Sequence, residues 1–262
     1  MNSNLTFIVI SSINDVSVEK TLKSIVDIAP VLLIDGGRRK FSSRNDQEIS
    51  LKQLANTYGC DYRAREFVNS SDQYNFGIET IGTDWAFIID SDETLSVELR
   101  NFLLKGNFGE ASNYSVKRFN YFLGRKMRHG QFRPDWNVRL IEKKFCKYEN
   151  RSVHARMITS GKRLKAPGFI VHDTVQNVSS FFLKMLAFTS REVDSRKVHH
   201  SNEAKAKIRV VLQALPFQAT LRFIYSYWFR LGFLDGKMGY LAARSASYYE
   251  IMVELHKVEN RE

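Results

Sequence analysis

Asp90-Ser91-Asp92-Glu93 sets three carboxylates within four residues, directly after the apolar run Trp85–Ile89. Carboxylates two residues apart at the end of a buried strand suit a hard divalent cation. Magnesium held by one or two carboxylates keeps positions for substrate phosphates. Such an ion neutralises a diphosphate as it departs. Read locally, Asp92 and Glu93 also favour the N-terminal dipole of a helix starting near Thr94. A further acid, Asp35, follows the run Val31–Ile34. As a bare Asp-Gly pattern it is a turn; at a strand end it also suits hydrogen bonds to a ribose or a base.

The elements that position these acids are legible in the hydropathy pattern. Leu5–Ile10, Val31–Ile34 and Trp85–Ile89 are short apolar runs of the kind that forms buried parallel strands. Val16–Ile28, Gln47–Tyr58 and Asp72–Ile81 carry apolar residues at helical spacing, closed by Pro30, Gly59 and Gly82. Strand–helix alternation predicts a doubly wound parallel sheet, in which ligands sit at the carboxyl ends of the strands. Asp35 and the 90–93 cluster both stand at such ends. Tyr114–Phe119, Asn137–Ile141 and Phe169–Val171 read as later strands, and the chain from Val178 onward reads as mostly helical.

Composition narrows the function classes. The 262 residues are 44% hydrophobic and 26% charged, which excludes a wholly disordered chain. The formal net charge of +11 is unevenly spread. Residues 1–114 hold 11 Lys/Arg against 16 Asp/Glu, and residues 115–170 hold 15 against 3. A positive field this concentrated points to an anionic partner. Met1–Ile13 has no basic n-region or small-residue cleavage site, and no run of about 18 apolar residues occurs. With only Cys60 and Cys146, neither metal-spaced nor needed as a disulfide, a cytoplasmic protein is expected.

Several segments in order resemble family 2 glycosyltransferases of the GT-A fold, in the lipopolysaccharide-core and capsule branch. They are TFIVISSIND (6–15), LLIDGG (32–37), NFGIETIGTDWAFIIDSDETLS (75–96), KRFNYFLGRKMRHGQFRPDWNVRLIEKK (117–144), VHARM (153–157), FIVHDT (169–174) and LGFLDGKMGYLAA (231–243). The chain departs from that family at Arg38-Arg39-Lys40, where Ser-x-Asp is usual. It departs again at Ala155, where the family often has Glu after Val-His.

The resemblance implies an α/β GT-A domain over residues 1–175. Its nucleotide-sugar and metal half would span 1–114 and its acceptor half 115–175, with a helical extension over 176–262. It implies inverting transfer from a nucleotide diphosphate sugar, a uridine-linked one in the first instance, with Mn²⁺ or Mg²⁺ as cofactor. Asp90, Asp92 and His172 are the implied metal ligands. Asp135, then Glu93, are the candidate general bases. Asp35, Asp90 and Arg139 are the candidate donor-binding residues. The bland readings are a turn cap for Asp135, core histidines for His154 and His172, and a surface ion pair for Arg139. The implied acceptor is an anionic glycan or glycolipid. The basic block and the Arg–aromatic mixture of Ile208–Leu231 also suit an anionic membrane face. Two other classes use similar features: a basic nucleic-acid binder and a metal-dependent nucleotidyltransferase. No nucleic-acid-binding module is recognisable, so nucleic acid is not the expected partner.

Overall fold

In a computed structural model, four strands form the parallel half of the main sheet: β1 (Leu5–Ser11), β2 (Val31–Asp35), β3 (Asp61–Ala64) and β4 (Trp85–Asp90). The structure describes residues 1–11, 17–36, 50–149, 156–198 and 217–259. His154, Ala155 and Arg38–Lys40 lie outside them. The spatial order is β3-β2-β1-β4. Helices α1 (Val18–Ile25), α2 (Leu51–Tyr58) and α3 (Ser70–Thr80) link successive strands. Both sheet faces are covered, so β1 and β2 are buried at every position. Phe7, Val9 and Leu33 join Leu22, Ile25 and Leu54 on one face. Ile8, Ile10 and Ile34 meet Ile78 and Ile81 on the other. Each such side chain contributes about 1.5–3 kcal/mol by leaving water.

Beyond β4 the sheet changes direction. The remaining elements of this half are β5 (Glu93–Leu95), α4 (Val97–Lys105), β6 (Asn113–Phe122), β7 (Arg125–Lys126), β8 (Asp135–Glu142), β9 (Cys146–Tyr148), β10 (Met157–Thr159) and β11 (Arg163–Val175). β8 runs antiparallel to both β4 and β6. The order continues β4-β8-β6-β11-β5, while β9 and β10 pair separately. The sheet is therefore mixed: the parallel reading of the first half holds through β4, and β8 returns antiparallel. The other differences are local. The helix expected near Thr94 starts at Val97, because Glu93–Leu95 pair with β11 and Ser96 caps the helix. α1 ends at Ile25, well before Pro30. β3 (Asp-Tyr-Arg-Ala) has no apolar run to announce it; it is a largely exposed edge strand beside β2.

The chain divides into two compact units. One is Met1–Arg118 with Asp135–His172; the other is Phe119–Pro134 with Asp173–Glu262. The second contains α5 (Val178–Val198), α6 (Gln218–Ile224), a π-turn segment (Tyr225–Phe229) and α7 (Gly236–Glu259). Its core joins Phe122, Met127 and Val175 to Ala242, with Phe132, Phe181 and Met238 packed around them. Asp235 accepts the backbone N–H groups of Arg128 (3.0 Å) and His129 (2.8 Å), and its other oxygen lies 3.0 Å from His129 Nδ1. The His129-Gly130 and Gly232–Gly236 segments, over a hundred residues apart, thus form one clamp in this unit.

Candidate active site

Parallel pairing puts two acids at one level of the first unit. Register sets Asp35 opposite Ser11 and Asp90 opposite Ile10, on the two flanks of β1. Strand spacing alone puts their backbones about 10 Å apart. Asp35 is buried and accepts the Tyr62 hydroxyl at 2.7 Å. Burial, then Asp35 itself, pushes the Tyr62 phenol up to about 12, so it stays a donor.

Around Asp90 the side chains form a connected network. Its two oxygens accept the Tyr74 hydroxyl and Arg139 Nη2, the latter at 2.8 Å. Glu93 is 0% exposed. It accepts Arg139 Nη2 at 2.7 Å, Arg118 Nη1 at 3.2 Å and the Asp90 backbone N–H at 3.0 Å. Arg118 reaches across to Asp135 with two bonds, Nε at 3.0 Å and Nη2 at 2.8 Å. This fork follows from register, since Arg118 on β6 faces Asp135 on β8. Bidentate guanidinium–carboxylate pairing fixes geometry as well as charge.

The same surroundings act oppositely on the two inner acids. Burial raises both carboxyls, yet for Asp90 the charge and hydrogen bond of Arg139 prevail, with help from Tyr74 and Arg118. Asp90 is held well below the usual carboxylate range. For Glu93 burial prevails, reinforced by the Asp90 charge, and pushes it up to about 7. Asp135 also resists burial, because its Arg118 bonds lower it.

Asp92 faces His172. Its Oδ1 lies 3.3 Å from His172 Nε2. His172 faces Glu93 in the β11–β5 register. That position is secured just upstream. Gly168 sits at φ +76°, and a Cβ there would meet the Leu99 nitrogen at 2.4 Å. The Ser96 hydroxyl accepts both Leu99 N–H (3.3 Å) and Phe169 N–H (3.1 Å). The 91–93 turn is tied to α1, where the Thr21 hydroxyl lies 2.8 Å from the carbonyls of both Ser91 and Glu93.

Among the described residues, no group of three or more His, Cys, Asp and Glu side chains is arranged to hold a metal ion. The donor set nevertheless fits a two-residue holding. A carboxylate oxygen and an imidazole nitrogen 3.3 Å apart fit two ligand positions on Mn²⁺, whereas Mg²⁺, which takes oxygen ligands, would be held by Asp92 alone. Asp90 is turned instead to Tyr74 and Arg139. Arg139, expected at the diphosphate, is almost wholly buried and grips Asp90 and Glu93. Asp135 remains 43% exposed at its side chain.

Arg118, Tyr74, Tyr62 and Thr21 are the members that sequence reading did not single out. The only advance signal was their place within recognisable segments; which acid each meets depends on register and helix docking.

No family model matches the chain. Among solved structures it is similar to S. aureus TarS, with a TM-score of 0.43 and 11% identity over 89% of this chain. The chain spans only 46% of that TarS chain. It is also similar to TarS 1–349 in complex with UDP, at a TM-score of 0.42 and 10% identity, covering 98% of this chain and 92% of that one. The bifunctional IspDF of Campylobacter jejuni gives a TM-score of 0.40 and 11% identity over 63% of this chain and 50% of that one. Likenesses this faint say nothing of function.

Proposed function

We propose that the chain is a glycosyltransferase that moves a sugar from a nucleotide diphosphate sugar to an anionic glycan or glycolipid acceptor, inverting the anomeric carbon. The observation that carries this reading is a half-exposed carboxylate, Asp135, held by Arg118 onto the same network as the strand-end acids Asp90 and Glu93. Inverting transfer is one in-line displacement. It needs a base within hydrogen-bond reach of the acceptor hydroxyl, on the face of the anomeric carbon opposite the leaving diphosphate, and no enzyme nucleophile.

In this reading Asp35 and Tyr62 bind the nucleoside at the edge of the parallel sheet. Asp92 and His172 would hold Mn²⁺. The bound ion supplies positive charge that stabilises the departing diphosphate. Asp135 takes the acceptor hydroxyl proton as the acceptor oxygen bonds the anomeric carbon and the diphosphate leaves with the electron pair. Its Arg118 bonds keep it ionised, and therefore able to accept a proton, at neutral pH. Glu93 is sealed from solvent and serves as an anchor: it keeps Arg118 and Arg139 in place between the strand ends.

A donor screen tests this. UDP-, GDP- and CMP-sugars are added with Mn²⁺ and the melting temperature is followed. UDP-sugars come first because uridine-linked donors are what the resemblance of the chain's segments to family 2 glycosyltransferases implies. A ligand that binds the folded state raises its melting temperature by mass action. The reading predicts a saturable rise with one nucleotide class. Salt-sensitive binding of RNA or DNA, with no response to any sugar nucleotide, would overturn it in favour of a nucleic-acid binder.

A further inference from the structure

Away from the carboxylate–arginine site, the second unit carries an aromatic surface left outside its core. Phe223 and Tyr227 stack with ring centroids 5.3 Å apart, and Tyr240 meets both edge-on. Trp228 and Phe233 extend the patch, 5.6 Å apart, each touching Tyr227. Trp228 is 57% exposed and its neighbour Phe229 77%. Single exposed apolar residues are ordinary, but a contiguous patch marks an interaction surface.

Cations lie within and beside this patch. Arg230 sits 5.0 Å over the Tyr225 ring and donates Nε to its hydroxyl at 2.9 Å. Arg244 donates to the hydroxyls of Tyr240 (3.2 Å) and Tyr248 (2.9 Å). Among the described residues neither arginine meets a carboxylate. Residues 217–250 hold Arg222, Arg230, Lys237 and Arg244 against Asp235 and Glu250, and Glu250 lies 3.9 Å from Arg222. Asp235 is already engaged by the backbone of Arg128 and His129.

We propose that this face docks on an anionic lipid surface, with Trp228, Phe229 and Phe233 entering the headgroup region and Arg230, Lys237 and Arg244 meeting lipid phosphates. Tyr and Trp have an apolar ring and a polar tip, which suits them to that depth. Attachment is peripheral, since no described helix is long and apolar enough to cross a membrane. A two-fold contact with a second copy would set this cationic face against itself, which like charges oppose. The proposal goes beyond the transferase reading and does not depend on it.

Vesicle flotation of the full chain tests it, comparing phosphatidylcholine alone with phosphatidylcholine containing about one-third phosphatidylglycerol. The chain is expected to float with the anionic vesicles only, and to be released as salt rises toward about 1 M. The double variant Arg230→Gln/Arg244→Gln should cut partition about thirty-fold, the loss expected for two surface cations on an anionic leaflet. Trp228→Ser/Phe229→Ser should also weaken binding, with circular dichroism unchanged. Absence of vesicle binding by the parent chain would overturn the proposal. So would variants that bind like the parent, or a dimer that Trp228→Ser/Phe229→Ser dissociates while vesicles are ignored.

Discussion

Two guanidiniums, Arg118 and Arg139, stand among three carboxyls, Asp90, Glu93 and Asp135. With every group ionised the set would carry one excess negative charge beneath the surface. Burial resolves this at Glu93, the least exposed of the three, whose carboxyl stays protonated up to about 7. A raised carboxyl gives stability that is complete below its ordinary value of 4.5 and is lost as pH climbs through about 7. Glu93→Gln, which mimics the protonated form, should flatten that loss. Urea titrations from about pH 5 to 8 should show the parent falling relative to the variant by up to about 3 kcal/mol. Parallel curves would show that the proton is held elsewhere. Asp90 and Asp135 have lowered values, so their contribution has the opposite sense: it is present above the usual carboxylate range and lost on acidification. On the chemical side, Asp135→Asn should lower kcat by about 100-fold or more and change donor KM little, as loss of a general base does. If donor KM rose and kcat held, Asp135 would be a donor-binding group. At this scale the sequence revealed acids at strand ends. It could not reveal that Glu93 faces inward, because a three-residue pairing with β11 decides that. Nor could it pair Arg118 with Asp135, since an irregularity between Tyr114 and Ser115 resets the β6–β8 register.

Elements carry the next layer of positioning. α3 approaches the sheet through Gly77, where a Cβ would lie 2.7 Å from Ile8 Cγ2 and 3.1 Å from Ile34 Cδ1. One turn earlier on the same helix, Tyr74 reaches Asp90 and stacks on Tyr148 with ring centroids 5.2 Å apart. Gly77→Ala gains helix propensity of up to about 1 kcal/mol but must push α3 off β1 and β2. A net destabilisation of about 1–3 kcal/mol is expected in urea unfolding, with weakened donor binding because Tyr74 shifts. A variant more stable than its parent would mean the helix has room to move. The strands β1, β2 and β4 were legible because strands buried on both faces read as apolar runs. The strand at 137–141 was legible too, but its antiparallel pairing with β4 was not, because its partners lie far off in sequence.

At the scale of the whole chain, the basic excess of residues 115–170 is divided between the two units. Arg125, Lys126, Arg128 and Arg133 belong to the second unit, while Lys117, Arg118, Arg139 and Lys143 belong to the first. Arg118 and Arg139 are engaged in internal ion pairs, so the field available to a partner is smaller than the composition suggests. The hydropathy pattern gave no sign that residues 119–134 join the C-terminal helices. That grouping depends on contacts such as Asp235 with His129 and Gln131 Nε2 with the Ala242 carbonyl at 2.7 Å. A chain ending at residue 175 would strip Ala242, Phe181 and Met238 from Phe122, Met127 and Val175. It should therefore melt lower and aggregate, as checked by light scattering during a thermal ramp. A truncated chain as stable and monodisperse as the parent would refute the idea that 119–134 needs the helices. Sugar-nucleotide chemistry at the strand-end acids is tested most directly by Mn²⁺-dependent release of nucleoside diphosphate from the donor that the thermal screen selects, in the parent and in Asp92→Asn. The prediction is turnover in the parent and a loss of at least about 100-fold in the variant at an unchanged melting temperature. Equal release by the two proteins, or no turnover of any sugar nucleotide by the parent, would contradict it.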